Sequence, residues 1–248
     1  MQTISTAFDR AMRKARGDAA TPELVQDAQG YSKKRQQVVP FFDYDPEIFF
    51  PLLDDARFMD IFEELLGKDF IFTLSEGIIH AGGSGWHTDA VAPDGLFTMR
   101  AALYLDPLGP EDGCLSVIPG SHCTEYRGKL QQTIGVLGTK PEAITGRYPI
   151  ENEPGDVLFM NHKIFHGALN RGRRAIHINC SQNATAERNQ THFNWLLNFL
   201  EGETRGWGRF YSDRLIHTAG ARRRRMMARA IDPGFGKSGP NTHMQDLS

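Results

Sequence analysis

Residues 96–106, Leu-Phe-Thr-Met-Arg-Ala-Ala-Leu-Tyr-Leu-Asp, form an apolar run interrupted by one arginine and closed by an aspartate. Turn formers bound it, Pro93-Asp-Gly95 before and Asp106-Pro107 after, so it reads as a strand. Runs of the same texture lie on both sides: Phe70–Leu74, Gly77–His80, Cys114–Ile118, Val157–Met160 and Ala175–Cys180. Six or more strands with few helices between them predict a mainly β fold, an antiparallel sandwich or barrel, because a parallel sheet needs a crossover helix at each step.

Helical spacing appears outside this block. Phe58, Ile61, Phe62, Leu65 and Leu66 recur as on one helix face between Asp54 and Gly67. Helical texture returns over residues 190–231, first through Trp195, Leu196, Phe199 and Leu200, then through Asp213–Ile231. Residues 1–36 are polar and broken by Gly17, Pro22 and Gly30, which predicts a short helix or two on loose connections; residues 234–248 read as a loose tail. With 248 residues, 40% of them hydrophobic, the chain can fill a substantial core, and a single domain over 1–248 is expected.

Charge and cysteine content narrow the function classes. Twenty-eight Lys and Arg against 30 Asp and Glu give a net charge of −2, so no global field draws the protein to nucleic acid or an anionic membrane. The run Arg222–Arg225 has no interleaved aromatics and reads as a solvated or partner-facing helix surface. Three cysteines, Cys114, Cys123 and Cys180, fit a reducing compartment better than a disulfide framework. Neither a signal-peptide core nor a run of 18 apolar residues is present, so a cytoplasmic protein acting on a small molecule is expected, as a monomer or a homodimer. The glycine patch Gly82–Gly85 lacks the lysine and the spacing of a phosphate cradle.

The chemistry centres on Trp86-His-Thr-Asp89. In an extended strand His87 and Asp89 point to one side, because side chains alternate with period two. A third donor can arrive from residues 154–166, Pro-Gly-Asp-Val-Leu-Phe-Met-Asn-His-Lys-Ile-Phe-His, which read as a hairpin with Asn161-His162 in its turn and His166 past the returning strand. Two imidazoles and one carboxylate leave half of a metal's coordination shell free, the arrangement of non-haem Fe(II) oxygenases.

Further segments in order sharpen this. Trp86-His-Thr-Asp89 is followed by Ala101–Asp106, by Glu111–His122 with its Pro-Gly-Ser-His ending, by Pro154-Gly-Asp156 and by His166–Asn170. Together they resemble the phytanoyl-CoA dioxygenase family of Fe(II) and 2-oxoglutarate-dependent oxygenases, over about residues 55–185, with residues 190–231 as an added helical region. The resemblance implies a double-stranded β-helix, a distorted, cupin-like jelly roll with flanking helices. It implies Fe(II) held by His87, Asp89 and His166, with 2-oxoglutarate and O2 as co-substrates, and hydroxylation of an unactivated C–H bond with decarboxylation to succinate. The intact Asp89 disfavours halogenation, in which related enzymes put a small residue at that place. His122 resembles the family's structural turn residue.

The family anchors 2-oxoglutarate on an arginine after the distal histidine, and Arg171-Gly-Arg-Arg174 presents three. Arg173 matches the functional place, but the loop before it is shorter than the family's, so Arg174 stays a rival; alternation makes the two face opposite ways. Arg100, alone in its apolar strand, either meets a carboxylate of the chain or faces the cavity to hold 2-oxoglutarate or an acidic substrate group. His80, His177 and Asn179 are candidates for the inner face without an assigned role, and Trp207 and Phe210 for a lid. The spare arginines favour a small polar or anionic metabolite as substrate, a biosynthetic intermediate included. Two alternatives keep the barrel: a non-oxidative cupin-like metalloenzyme and a catalytically idle metabolite-binding protein.

Overall fold

The computed structural model describes residues 1–16, 35–80, 83–89, 92–137, 144–168, 172–185, 187–201 and 211–228. Arg171, Trp207, Phe210 and the tail at 234–248 lie outside the described residues. Two antiparallel sheets face each other. The larger holds β1 (Arg35–Val38), β2 (Ile71–His80), β9 (Arg173–Ser181), β4 (Thr98–Tyr104) and β7 (Val157–Asn161) in that order. The smaller holds β3 (Ser84–His87), β8 (His166–Ala168), β5 (Leu115–Val117) and β6 (Tyr148–Ile150). This is the expected jelly roll.

Alternation divides the residues of the larger sheet between two environments. Met99, Ala101 and Leu103 of β4 and Ile176, Ile178 and Cys180 of β9 join a core shared with the helices. The residues between them, Arg100, Ala102 and Tyr104, and Arg173, Ala175, His177 and Asn179, therefore take the face turned toward the smaller sheet. Met160 of β7 meets Leu115 and Val117 of β5 across that gap. The helices lie outside the larger sheet: α1 (Gln2–Arg16), α2 (Pro46–Phe49), α3 (Ala56–Leu66), α5 (Gln190–Glu201), α6 (Asp213–His217) and α7 (Ala221–Met226). Helix α4 (Thr124–Leu137) supplies Leu130 and Ile134 to a separate cluster around Trp86 and Phe165.

Local chemistry fixes the helix ends. Asp55 caps α3 by accepting from the Arg57 N–H at 2.9 Å, and Gly67, at φ 96°, ends it in a conformation that costs other residues strain. Phe58, Phe62 and Leu66 are buried as the spacing requires, whereas Ile61 and Leu65 face solvent. Helix α1 packs firmly, with Ala7, Phe8, Ala11 and Met12 buried. In α7 the basic run turns to the chain's own acids: Arg222 pairs with Asp60 at 2.6 Å, Arg223 with Asp54 at 2.9 Å and Arg225 with Glu63 at 2.5 Å. Cys114 and Cys180 are buried, Cys123 is exposed, and all three are free. No helix among the described residues is long and apolar enough to cross a membrane.

Three expectations need correction. Phe70–Leu74 and Gly77–His80 belong to one strand, β2, because β9 pairs along its whole length and a bulge between Phe72 and Leu74 absorbs the irregularity. Residues 154–166 are not a hairpin: β7 pairs with β4 and β8 with β3 and β5, so residues 162–165 carry the chain from one sheet to the other. Asp89 does not continue strand β3, which stops at His87.

Candidate metal centre

His87 ends β3 and His166 opens β8, and the two are register partners in an antiparallel pair. Partners in such a pair share a face, and the ring centroids lie 4.3 Å apart. Asp89, two residues past β3, donates its main-chain N–H to the His162 carbonyl at 3.0 Å. Its Oδ1 stands 3.8 Å from His87 Nε2 and its Oδ2 3.3 Å from His166 Nε2. One donor atom from each of the three falls within 4.8 Å of the others.

The hydrogen bonds set the chemistry of these donors. His87 Nδ1 lies 2.7 Å from the Gly85 carbonyl and His166 Nδ1 3.0 Å from the Ile164 carbonyl. A carbonyl can only accept, so each Nδ1 carries a proton and each Nε2 is the ring nitrogen turned to Asp89. Burial pushes His166 down to about 3, which keeps the ring neutral at pH 7. For Asp89 burial works against ionisation, but the nearby positive charge, Arg100 foremost, outweighs it and holds the carboxyl well below the usual range. Two imidazoles and one carboxylate form a donor set that fits Fe(II).

The candidate arginines Arg100, Arg173 and Arg174 have different surroundings. Arg100 places Nη2 2.5 Å from Asp89 Oδ2 and Nη1 3.1 Å from His177 Nδ1. Arg173 is 4% exposed, on the inner face beside Tyr104 and Cys114. Its Nη1 is buried without a hydrogen-bond partner, no carboxylate among the described residues pairs with it, and burial pushes its pKa down. Arg174 points the other way, with Nε and Nη2 on Asp106 at 3.1 and 2.7 Å and Nη1 on both oxygens of Asp9 at 2.9 Å. Its charge is satisfied in a clasp between α1 and the sheet. His122 lies in an exposed turn, 3.8 Å from Cys123 Sγ, away from the triad.

Sequence reasoning missed a polar group behind Asp89. Glu76, 7% exposed, accepts from Asn179 Nδ2 at 3.0 Å and from Gln37 Nε2, and its Oε2 lies 3.3 Å from His177 Nδ1. His162, read as a turn residue, does sit where β7 ends, but its Nε2 meets Asn179 Oδ1 at 3.0 Å. Burial pushes its pKa down to about 4. The available signal was parity: Arg173, His177 and Asn179 alternate along β9 with residues of the helix-side core.

The sequence profile of the phytanoyl-CoA dioxygenase (PhyH) family matches residues 2–199. The chain belongs to this family. The match reaches well outside 55–185 and takes in α1, whose Asp9 holds Arg174. Several solved structures share the PhyH chain's fold. HygX from Streptomyces hygroscopicus, with nickel and 2-oxoglutarate bound, superposes with a TM-score of 0.57 at 14% identity, covering 73% of this chain and 78% of that one. EctD from S. alaskensis, with 2-oxoglutarate and 5-hydroxyectoine, gives 0.52 at 19% identity, covering 72% and 66%. EvdMO1 gives 0.50 at 21% identity, covering 74% of this chain and 44% of that one. Among curated proteins none matches this PhyH chain significantly.

Proposed function

We propose that this PhyH-family protein is a cytoplasmic Fe(II) and 2-oxoglutarate-dependent dioxygenase that hydroxylates an unactivated C–H bond of a small polar or anionic metabolite, such as a biosynthetic intermediate. The observation that carries this reading is the convergence of His87, Asp89 and His166 at the smaller sheet, opposite the inner face of the larger sheet that bears the unpaired Arg173. The iron supplies the oxidising chemistry when bound; the chain supplies what surrounds it. His87 and His166 offer their Nε2 atoms and Asp89 an ionised carboxylate. Arg173 takes the C5 carboxylate of 2-oxoglutarate in a two-pronged, charge-assisted bond, which gives a desolvated guanidinium the counter-ion it lacks. Ala102, Tyr104 and Ala175 on the same inner face belong to a buried apolar cluster, where low polarity strengthens such a bond.

An unsatisfied cation on the inner face of the sheet opposite the donor set favours a dicarboxylate co-substrate over a non-oxidative metalloenzyme on the same barrel. An intact donor set argues against an idle binding protein. A panel of neutral and anionic metabolites, scored for stimulated succinate release and for gain of one oxygen atom by mass, tests the function. A hit with both signals supports it; metal-dependent conversion of a metabolite without consumption of 2-oxoglutarate would replace it with the non-oxidative alternative.

A further inference from the structure

Asp89 is the donor that secondary structure fixes least, since it stands beyond the end of β3 while His87 and His166 sit within paired strands. Its carboxylate is met from β4 by Arg100 in an ion pair, Nη2 standing 2.5 Å from Oδ2, while Oδ2 itself has no hydrogen-bond partner of good geometry. The other arm of Arg100 ends 3.1 Å from His177 Nδ1. That nitrogen is shared: it stands within hydrogen-bond distance of a guanidinium, which can only donate, and of the Glu76 carboxylate, which can only accept. Glu76 Oε2, 3.3 Å from the same nitrogen, supplies negative charge that balances Arg100 at this end. Asn179 donates to Glu76, so its Oδ1 accepts from His162 Nε2, and the carbonyl of His162 receives the N–H of Asp89. The path thus leaves Asp89 by its carboxylate and returns to it by its main chain.

Building on the metal-site reading above, we propose that Arg100 is a positioning residue: it grips one oxygen of Asp89 and keeps the carboxylate turned toward His87 and His166, and His177 fixes Arg100 for this task. Arg100 is thereby a support of the metal centre and not an anchor for 2-oxoglutarate or substrate. Two features single it out. The side chain reaches Asp89 and His177 with separate nitrogens, which the planar fork of arginine allows and the single ammonium of lysine does not. His177 and Glu76 come from β9 and β2, the paired strands at the centre of the larger sheet, so the support is built on rigid elements.

The test uses Co(II) in place of iron, without 2-oxoglutarate, and reads both affinity and the visible spectrum of the bound ion. Arg100→Lys keeps the positive charge, so the Coulomb effect on the metal is held constant and the loss of the fork is isolated. It should weaken Co(II) binding about tenfold and move the spectrum toward that of Asp89→Ala, in protein shown folded by circular dichroism. His177→Leu, which changes no charge, should weaken binding in the same direction. The double variant should bind no worse than Arg100→Lys alone, because both changes cut one path. If Arg100→Lys does not fold, His177→Leu carries the same prediction. Wild-type affinity and spectrum in Arg100→Lys, or effects that multiply in the double variant, would overturn the positioning role. Loss of Co(II) in Asp89→Ala beside an unchanged Arg100→Lys leaves the metal centre standing and removes only this inference. Equal binding in wild type and Asp89→Ala removes both.

Discussion

A guanidinium kept dry without a counter-ion costs several kcal/mol, and Arg173 is kept that way while its neighbour Arg174 is clasped by Asp106 and Asp9. Replacing each with alanine should therefore have opposite consequences. Arg173→Ala should weaken 2-oxoglutarate binding by about 100-fold, the worth of a bidentate charged pair. Arg174→Ala should change that binding less than about threefold while lowering unfolding stability by about 1 kcal/mol, as expected of a half-exposed ion-pair network. Calorimetric titration of 2-oxoglutarate into Co(II)-loaded protein, with urea melts alongside, separates the two, and the reverse ranking would move the anchor by one position. The metal donors were legible in the sequence because Trp86-His-Thr-Asp89 and the distal His166 form a recognisable pattern. The partners of the arginines were not: alternation says that Arg173 and Arg174 differ in face, but which face is dry depends on where α1 docks. Nor does the sequence reveal that Glu76 and Asn179 from two strands meet behind Asp89.

Among the elements, the apolar strands β4, β5, β7 and β9 could be read, whereas the polar or proline-bearing edge strands β1 and β6 could not. Strand β6 contains Pro149, which an interior strand would reject, and it is tolerated because β6 lies at the edge of the smaller sheet. Strand β1, Arg-Gln-Gln-Val, carries no apolar alternation and is held by its pairing with β2. The crossing between sheets at residues 162–165 resembles a hairpin turn in sequence because both end one strand and begin another; only the partners differ. Strand β2 gives a direct test of packing. A Cβ at Gly77 would fall well inside contact distance of the Phe41 ring, which is fully buried and packed in tilted contacts with Phe8 and Phe49. Gly77→Ala should thus destabilise the protein by about 1–3 kcal/mol through overpacking. Gly128, inside α4 with open space where its Cβ would go, should show the opposite sign, Gly128→Ala gaining up to about 1 kcal/mol. Urea midpoints of the two variants check the pair, and equal shifts would contradict the packing described for β2.

For the molecule as a whole, the polar interior between the sheets makes stability depend on pH. Burial pushes His166 to about 3 and His162 to about 4 and also lowers His177, so the folded chain refuses protons that the unfolded chain accepts near the ordinary value of 6.5. Stability contributed by these rings is complete above that value and falls as pH drops toward 4, by up to about 1.4 kcal/mol per pH unit for each ring. For Glu76 burial opposes ionisation, but His177, Arg100 and Asn179 outweigh it and bring the carboxyl down to about 2. Its contribution is present above its ordinary 4.5 and is lost as pH falls from there toward 2, so it adds to the same acid sensitivity. Urea midpoints of the metal-free protein should decline between pH 7 and 4, and His162→Gln should flatten the decline; a flat wild-type profile would mean that these rings are charged in the folded state. The jelly roll itself was legible at this scale, since strand-rich texture and family resemblance agree, whereas the inward docking of α1 was hidden by its polar composition. The most direct test of the central claim is an anaerobic titration of Fe(II) and 2-oxoglutarate followed by visible absorption. Wild-type protein should develop a weak charge-transfer band that saturates at one iron per chain, and Asp89→Ala and His166→Ala should lose it. Absence of the band from wild-type protein that has bound both, or its survival in those variants, would contradict that claim.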